Sequence, residues 1–238
     1  MTTPRPVART RRTALRLALA AAGLLSLAGC DPRTLFYFLQ PFEPGIAPTG
    51  PSLKGKRVVV LTHAASGTQN DFRAVDRELT REFVSILREK VKKIDVVEPQ
   101  KVWDWADAHP SWSEPSEAAK AFDADVVIFL EIEEFQIRDP SSPGLFKGLS
   151  KVHIQVTELQ HPKNSKGKLQ TDKPKEPDVI FDNVRDTEFP SRGPMPMDSG
   201  VSAAGFKNKF VKLVASELSW FFVDRAYGDD IQDTKIYD

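Results

Sequence analysis

Cys30 is the residue whose type and position predict a definite chemistry. It is the only cysteine among 238 residues, so neither an intramolecular disulfide nor a cysteine-rich metal site accounts for it. It directly follows an apolar run that ends in the small residues Ala28 and Gly29. A thiol in that place suits attachment of lipid to its sulfur after the preceding segment has been removed. We therefore expect the chain to be exported, cut before Cys30 and anchored to a membrane.

The segment before Cys30 has the three-part plan of a secretory signal. Its positive flank contains no acidic residue and five arginines: Arg5, Arg9, Arg11, Arg12 and Arg16. Every residue from Leu17 to Ala28 is Leu, Ala, Gly or Ser. This run is too short to cross a bilayer core, which takes about 20 residues. Residues 1–29 are therefore predicted to be a cleaved signal peptide.

Leu27-Ala28-Gly29-Cys30 resembles the lipobox of bacterial lipoproteins. The resemblance implies that a signal peptidase recognises Leu27, Ala28 and Gly29, and that the Cys30 sulfur receives a diacylglycerol. It also implies an acyl chain, such as palmitate, on the new amino terminus, and a place on the periplasmic face of the inner or outer membrane. Each buried methylene contributes about 0.8 kcal/mol, so several chains anchor a protein stably. The alternative is a buried structural cysteine after a chance apolar run.

Two adjacent arginines bear on the export route. Arg11 and Arg12, within Thr10–Arg16, are similar to the twin-arginine export motif, with Ala14 where a phenylalanine is usual. An ordinary arginine-rich flank of the general secretory route explains the same residues equally well, and both routes stay open.

The other residue types capable of chemistry form no recognisable catalytic or metal-binding pattern. The four histidines lack metal-ligand spacing: His63, His109, His153 and His161. The loop Thr62–Thr68 has the position of a phosphate loop but not its glycine and lysine pattern, which favours a capped turn. Glu131, Glu133 and Glu134 are carboxylates suited to acid–base work, but alternation predicts that Glu131 and Glu133 share a solvated face. We predict no catalytic residue, metal or cofactor.

Charge excludes one class of partner. The whole chain has 33 Lys+Arg and 33 Asp+Glu, and the predicted signal takes five arginines, so the mature chain has a net charge of −5. A mildly acidic protein lacks the basic surface that nucleic acid requires. Its length fits one domain with tails.

The mature chain is predicted to have three parts. Residues 30–52 form the lipidated cysteine and a stiff proline-rich tether, residues 53–227 an α/β domain, and residues 228–238 an acidic tail. The aromatic run Leu35–Phe42 either lies in the membrane interface or packs on the domain.

Five strands and four helices are predicted from hydrophobic periodicity. The strands cover about residues 57–62, 94–98, 123–132, 148–159 and 179–184. The helices cover about residues 72–91, after a capping box at Thr68–Asp71, then 102–106, 115–122 and 201–227. A phase shift after Ile132 predicts either a β-bulge or the end of the strand, and the lysine-rich residues 160–177 predict a mobile hairpin loop. The order of elements indicates a mixed sheet, 2-1-3-4-5, covered by helices.

This order, together with Ala118–Ile128, is similar to small envelope lipoproteins of the CsgG, LpoB and TolB amino-terminal type. Asp123 stands where those families usually have glycine. The resemblance implies a domain that binds or helps to assemble another envelope component without catalysis. The expected partners are thus a membrane, through lipid on Cys30, and an envelope protein. The alternative is an envelope enzyme with an unrecognised active site.

Overall fold

The predicted α/β fold and its strand order are confirmed. The computed structural model describes residues 45–72, 74–162 and 175–226. The elements of this part are β1 (Arg57–Ala64), α1 (Ser66–Asp71), α2 (Val75–Lys90), β2 (Asp95–Val96), α3 (Pro99–Ala108), α4 (Ser116–Ala121), β3 (Val126–Asp139), β4 (Ser142–Gln160), β5 (Glu176–Phe189), β6 (Met195–Pro196) and α5 (Ala203–Ser219).

The sheet has the order β2-β1-β3-β4-β5. β1 is parallel to β2 and β3, whereas β3, β4 and β5 form antiparallel pairs. The described sheet has a sixth strand, because β6 pairs with β4 at Leu145 and Phe146. Sequence reasoning missed β6 since two residues carry no alternation, and Pro196 is unfavourable inside a strand.

The two faces of the sheet are covered unequally. α2 and α5 pack on one face, where Phe83 of α2 and Phe210 of α5 are fully buried. α3 and α4 cover only part of the opposite face, over the apolar side chains of β1 and the start of β3. The predicted central strand is therefore covered on both faces in its first half. The far part of the second face, on β3, β4 and β5, carries polar side chains and is called the open face below.

The predicted single helix over residues 72–91 is wrong at its start. Ala74 adopts a left-handed φ of 72° and separates α1 from α2. Thr68 lies inside α1, and the residue that caps this helix is Ala65, whose side chain forms no capping hydrogen bond. The predicted capping box is therefore also wrong. An alanine at a left-handed position leaves no sequence signal, because glycine or asparagine usually marks such a break.

The last helix is shorter than predicted. α5 begins after Ser202, whose Oγ accepts a hydrogen bond from the Gly205 N–H at 3.1 Å, and it ends at Ser219. Phe222 lies beyond the helix but is still buried, with its ring 6.1 Å from that of Phe83. The apolar stripe thus continues into a turn that retains the same packing.

The folded unit begins at Gly45 rather than at Leu53, so residues 45–52 do not belong to the tether. Ile46 and Arg225 exchange two main-chain hydrogen bonds, of 2.8 and 3.1 Å, and the Gly50 N–H donates to the Phe221 carbonyl at 2.7 Å. A Cβ on Gly50 would lie 2.6 Å from that oxygen, so the contact requires glycine. The prolines of residues 45–52 led to the prediction of a stiff tether. Proline is equally compatible with an extended segment that lies along the surface of a folded domain.

The antiparallel part of the sheet matches the sequence pattern well. The register shift between Ile132 and Glu134 confirms the predicted bulge in β3. β4 and β5 pair from Gln160↔Glu176 to Gly148↔Phe189 and confirm a hairpin. Residues 163–174 of its predicted loop lie outside the described residues, as do the predicted tail from residue 228 and the aromatic run Leu35–Phe42.

Candidate binding cleft and open sheet face

A cleft lies between α1 and the second half of β3. β1 ends at Ala64, opposite Ile132, and the Ala65 N–H still donates to the Ile132 carbonyl at 3.0 Å. β3 continues to Asp139, so its β1-side edge beyond Ile132 faces α1 rather than a described strand. This position is the carboxyl end of the parallel strands, where the order reverses and where open α/β sheets commonly bind ligands.

The cleft has a volume of about 670 Å³ and an apolar base. The bulge after Ile132 turns Phe135 into the helix-covered core, where it is 5 % exposed. Its ring lies 5.1 Å from Phe72 in an edge-on arrangement and 5.2 Å from Phe210. Phe72 lies between the end of α1 and the start of α2, and its side chain packs beside β3. Ile137 completes the apolar lining.

The structure brings together residues that the sequence had indicated separately. Gly67 and Thr68, which were predicted as loop residues and lie in α1, line the cleft together with Glu133 and Glu134. Sequence reasoning missed this proximity because it depends on how far β3 extends beyond β1. The missing signal was the length of β3, which was predicted to end near Ile132.

The three carboxylates have different surroundings. Glu133 Oε2 lies 2.8 Å from Lys151 Nζ, and this hydrogen bond raises the pKa of Lys151 above its usual value. Glu134 accepts a 2.7 Å hydrogen bond from Gln136 Nε2. Glu131 lies outside the cleft, 3.8 Å from His153 Nδ1. Glu131 thus contacts His153 and Glu133 contacts Lys151, both on β4. The two glutamates therefore lie on the same face of the sheet, the open face, as the alternation of the sequence predicted.

A second polar group links three strands on the open face. His153 of β4 lies between Glu131 of β3 and Asp182 of β5, and its Nε2 is 2.8 Å from Asp182 Oδ1. That hydrogen bond, with a 3.4 Å bond from Gln155 Nε2, lowers the pKa of Asp182 below its usual value. Side-chain hydrogen bonds between neighbouring strands stabilise their pairing.

Of the other histidines, His63 adjoins this group in the register and His109 lies apart from it. His63 is exposed on β1 in the register position beside Glu131. His109 stacks on Trp105, with ring centroids 5.2 Å apart, and its Nδ1 contacts the Trp105 carbonyl at 2.8 Å. Within residues 45–72, 74–162 and 175–226, no three His, Cys, Asp or Glu side chains are arranged to hold a metal ion.

The export and lipidation residues lie outside the described part of the chain: Arg11, Arg12, Leu27, Ala28, Gly29 and Cys30. Their predicted roles remain predictions. No helix in the described part is both long and apolar enough to cross a membrane.

Comparison with known proteins found no matching family model and no matching curated protein. Solved structures do show similarity. The PelC dodecamer from Paraburkholderia phytofirmans is 13 % identical, with a TM-score of 0.40 over 75 % of this chain and 95 % of that one. Lipoprotein GNA1162 from Neisseria meningitidis is 11 % identical, with a TM-score of 0.39 over 71 % and 99 %. The LpoB C-terminal domain from Salmonella enterica is 11 % identical, with a TM-score of 0.34 over 59 % and 87 %.

Proposed function

We propose that the protein is a lipid-anchored bacterial envelope lipoprotein that binds another envelope component without catalysing a reaction. The observation that carries this proposal is the sequence Leu27-Ala28-Gly29-Cys30, placed directly after an arginine flank and an apolar run. Lipid on Cys30 would fix the domain on the periplasmic face of a membrane. The arginine pair Arg11 and Arg12 supports twin-arginine export within the same proposal.

The revised start of the domain leaves a usable tether. Residues 31–44 separate the anchor from the folded unit. At about 3.1 Å per residue this segment would reach about 43 Å, provided that the aromatic run Leu35–Phe42 is held by neither the bilayer nor the domain. Such reach supports contact with a partner away from the bilayer surface.

The domain supports a binding role through its surfaces. The cleft beside β3 has an apolar base of Phe72, Phe135 and Ile137 and a charged rim that includes Glu133. Apolar pockets with a few polar groups are typical of binding sites. Lys151 Nζ lies 2.8 Å from Glu133 Oε2, so the rim presents an acidic and a basic group side by side to a polar partner.

Cys30→Ala tests the anchor. We expect the variant to remain uncut or to be released from membranes, and to take up no label from an alkyne-tagged fatty acid. The matched control is Ala28→Ser, which keeps the sequence within the lipobox pattern and should be processed and labelled as the native chain is. A Cys30→Ala protein that is cut and stays with membranes like the native protein would show that the lipoprotein proposal is wrong.

The enzyme alternative is tested in the same cells. Glu131→Gln, Glu133→Gln and His153→Gln alter the charged groups of the open face while keeping side chains of similar size. We expect each folded variant to restore a deletion strain, whereas Cys30→Ala does not. Loss of the cellular role in one folded polar variant, with Cys30→Ala still active, would favour an envelope enzyme instead.

A further inference from the structure

The outer edge of β5 is a long unpaired strand edge. β5 is 14 residues long and pairs with β4 along its length. Among the described residues it has no strand on its other side. The Val184 N–H donates to its neighbour's side chain, Asn183 Oδ1, at 2.8 Å, so this amide is not used in the ladder with β4. An open edge of this kind is a template for a further strand.

β5 also carries the exposed apolar side chains of the domain. In the described part of the chain, the two large hydrophobic residues that are exposed are Val179, at 52 %, and Val184, at 41 %. Both belong to β5. The register places Val179 opposite Thr157 and Val184 opposite His153, so both valines lie on the open face. An incoming strand would cover them.

The charge of β5 defines the chemistry of its partner. The strand has one base, Arg185, and five acids: Glu176, Asp178, Asp182, Asp186 and Glu188. Arg185 forms an ion pair with Glu217 of α5, in which Nε lies 2.8 Å from Oε2. Bases of β4 partly compensate two of the acids: Lys147 Nζ lies 3.0 Å from Glu188 Oε1, and Lys151 is the register neighbour of Asp186. Among the described residues Asp178 has no ion pair. The edge is therefore acidic, and a basic strand complements it.

A second copy of the chain fits this edge poorly. In an antiparallel pairing of two β5 strands centred on Asp182, Asp182 would lie beside its own copy; the register shift at Ile180 puts Asp178 on the opposite face from Asp186, so these two acids would not meet. Like charges directly opposite each other destabilise a pair of strands. Asp182 therefore disfavours self-association in this register, while the main-chain groups stay accessible to a basic segment.

We propose that the β5 edge binds an extended lysine- or arginine-containing segment of a partner protein, which adds to the sheet as the strand beside β5. Main-chain hydrogen bonds would hold the segment, Val179 and Val184 would receive its apolar side chains, and the acids would select for basic residues. This inference deepens the proposed function, because it names the surface and the chemistry of the partner that the binding role requires.

The test uses the mature chain from Cys30 in detergent and a fluorescent peptide of alternating Lys and Thr. Val184→Pro removes the outward N–H, and proline is tolerated where an edge amide faces solvent. Val184→Thr is the matched control, since it keeps the N–H and the branched shape. We expect Val184→Pro to weaken peptide binding by about tenfold or more, and Val184→Thr to leave it nearly unchanged. Circular dichroism confirms that both variants are folded.

Charge and main-chain dependence are measured separately. The double variant Asp178→Lys with Asp186→Lys should lose the Lys–Thr peptide and gain a Glu–Thr peptide. This pair also serves as the test if Val184→Pro does not fold. A Lys–Thr peptide methylated on alternate main-chain nitrogens should bind far more weakly than the parent peptide.

Three results would overturn the inference. The first is no binding of the Lys–Thr peptide up to about 1 mM. The second is equal binding of the parent and the methylated peptide, which would show charge attraction without strand addition. The third is a dimer in sedimentation that Val184→Pro abolishes, which would assign the edge to a second copy. None of these results depends on the labelling and fractionation of Cys30→Ala, so either proposal can fail alone.

Discussion

Gly148 is the position where one added methyl group should perturb the fold most clearly. It lies on β4 against α5, and a Cβ there would stand 2.6–2.8 Å from three ring atoms of Phe210. Carbon atoms pack best at about 3.5–4.0 Å, so the ring would have to retreat by about 1 Å. Phe210 is fully buried, and its ring is held by Phe135 at 5.2 Å and Phe189 at 6.5 Å. The core therefore offers the ring no free space.

Gly148→Ala should consequently destabilise the protein. Overpacking a core costs about 1–3 kcal/mol, and the lost flexibility of the unfolded chain offsets about 0.4–1 kcal/mol of that cost. We expect a net loss of about 1–2 kcal/mol, or about 2–8 °C in melting temperature for a domain of this size. Urea unfolding followed by circular dichroism measures it.

Gly144→Ala is the matched control for Gly148→Ala. Gly144 is also on β4, but a Cβ there would meet nothing within 4 Å, so we expect a change within about 0.5 kcal/mol. Phe210→Leu removes the ring that clashes, and it should cost less stability in the Gly148→Ala background than in the native one, with a coupling of about 0.5–3 kcal/mol. Equal stability of Gly148→Ala and Gly144→Ala, or strict additivity with Phe210→Leu, would refute the packing argument.

Two further predictions concern export and pH. Replacing Arg11 and Arg12 by Lys keeps the charge of the flank but removes the twin arginines; we expect the precursor to accumulate uncut, and unchanged export in a pulse-chase experiment would assign the chain to the general secretory route. The bond from His153 lowers the pKa of Asp182, so Asp182 stabilises the fold above its unfolded pKa of about 3.9 and loses that contribution as the pH falls through its folded pKa. The stability difference between the native chain and Asp182→Asn, followed by thermal melts, should therefore shrink below about pH 4; a difference that grows there would contradict the assignment.

The antiparallel strands could be predicted because their pattern is local. Val152, Ile154 and Val156 alternate with polar residues, and the change of phase after Ile132 showed where the bulge lies. The break at Ala74 could not be predicted, because alanine gives no sequence signal for a left-handed φ; the break accompanies the contact of Phe72 with Phe135, which is distant in sequence. Local pattern therefore indicates strands well, while tertiary contacts decide where a helix is interrupted.

The candidate sites were predicted less fully, because their residues are distant in sequence. Thr68 and Glu133 meet at the cleft only because β3 extends past β1. His153 and Asp182 meet because β4 and β5 pair in one particular register across a hairpin. Sequence spacing placed Glu133 and His153 on polar strand faces and Thr68 in a capping box, but it could not supply the strand pairing that brings their partners to them.

Stability and recognition should be separable in this domain, because the sheet has different surroundings on its two sides. Gly148 faces α5 across a filled core, whereas Val184 is exposed at the edge of β5. Changes at distant sites without shared partners usually add. Gly148→Ala should therefore lower stability while the remaining folded protein binds the Lys–Thr peptide normally. Val184→Pro should lower binding with little loss of stability. If both variants lost stability and binding in the same proportion, the peptide would be responding to folding, and β5 would not be an independent recognition edge.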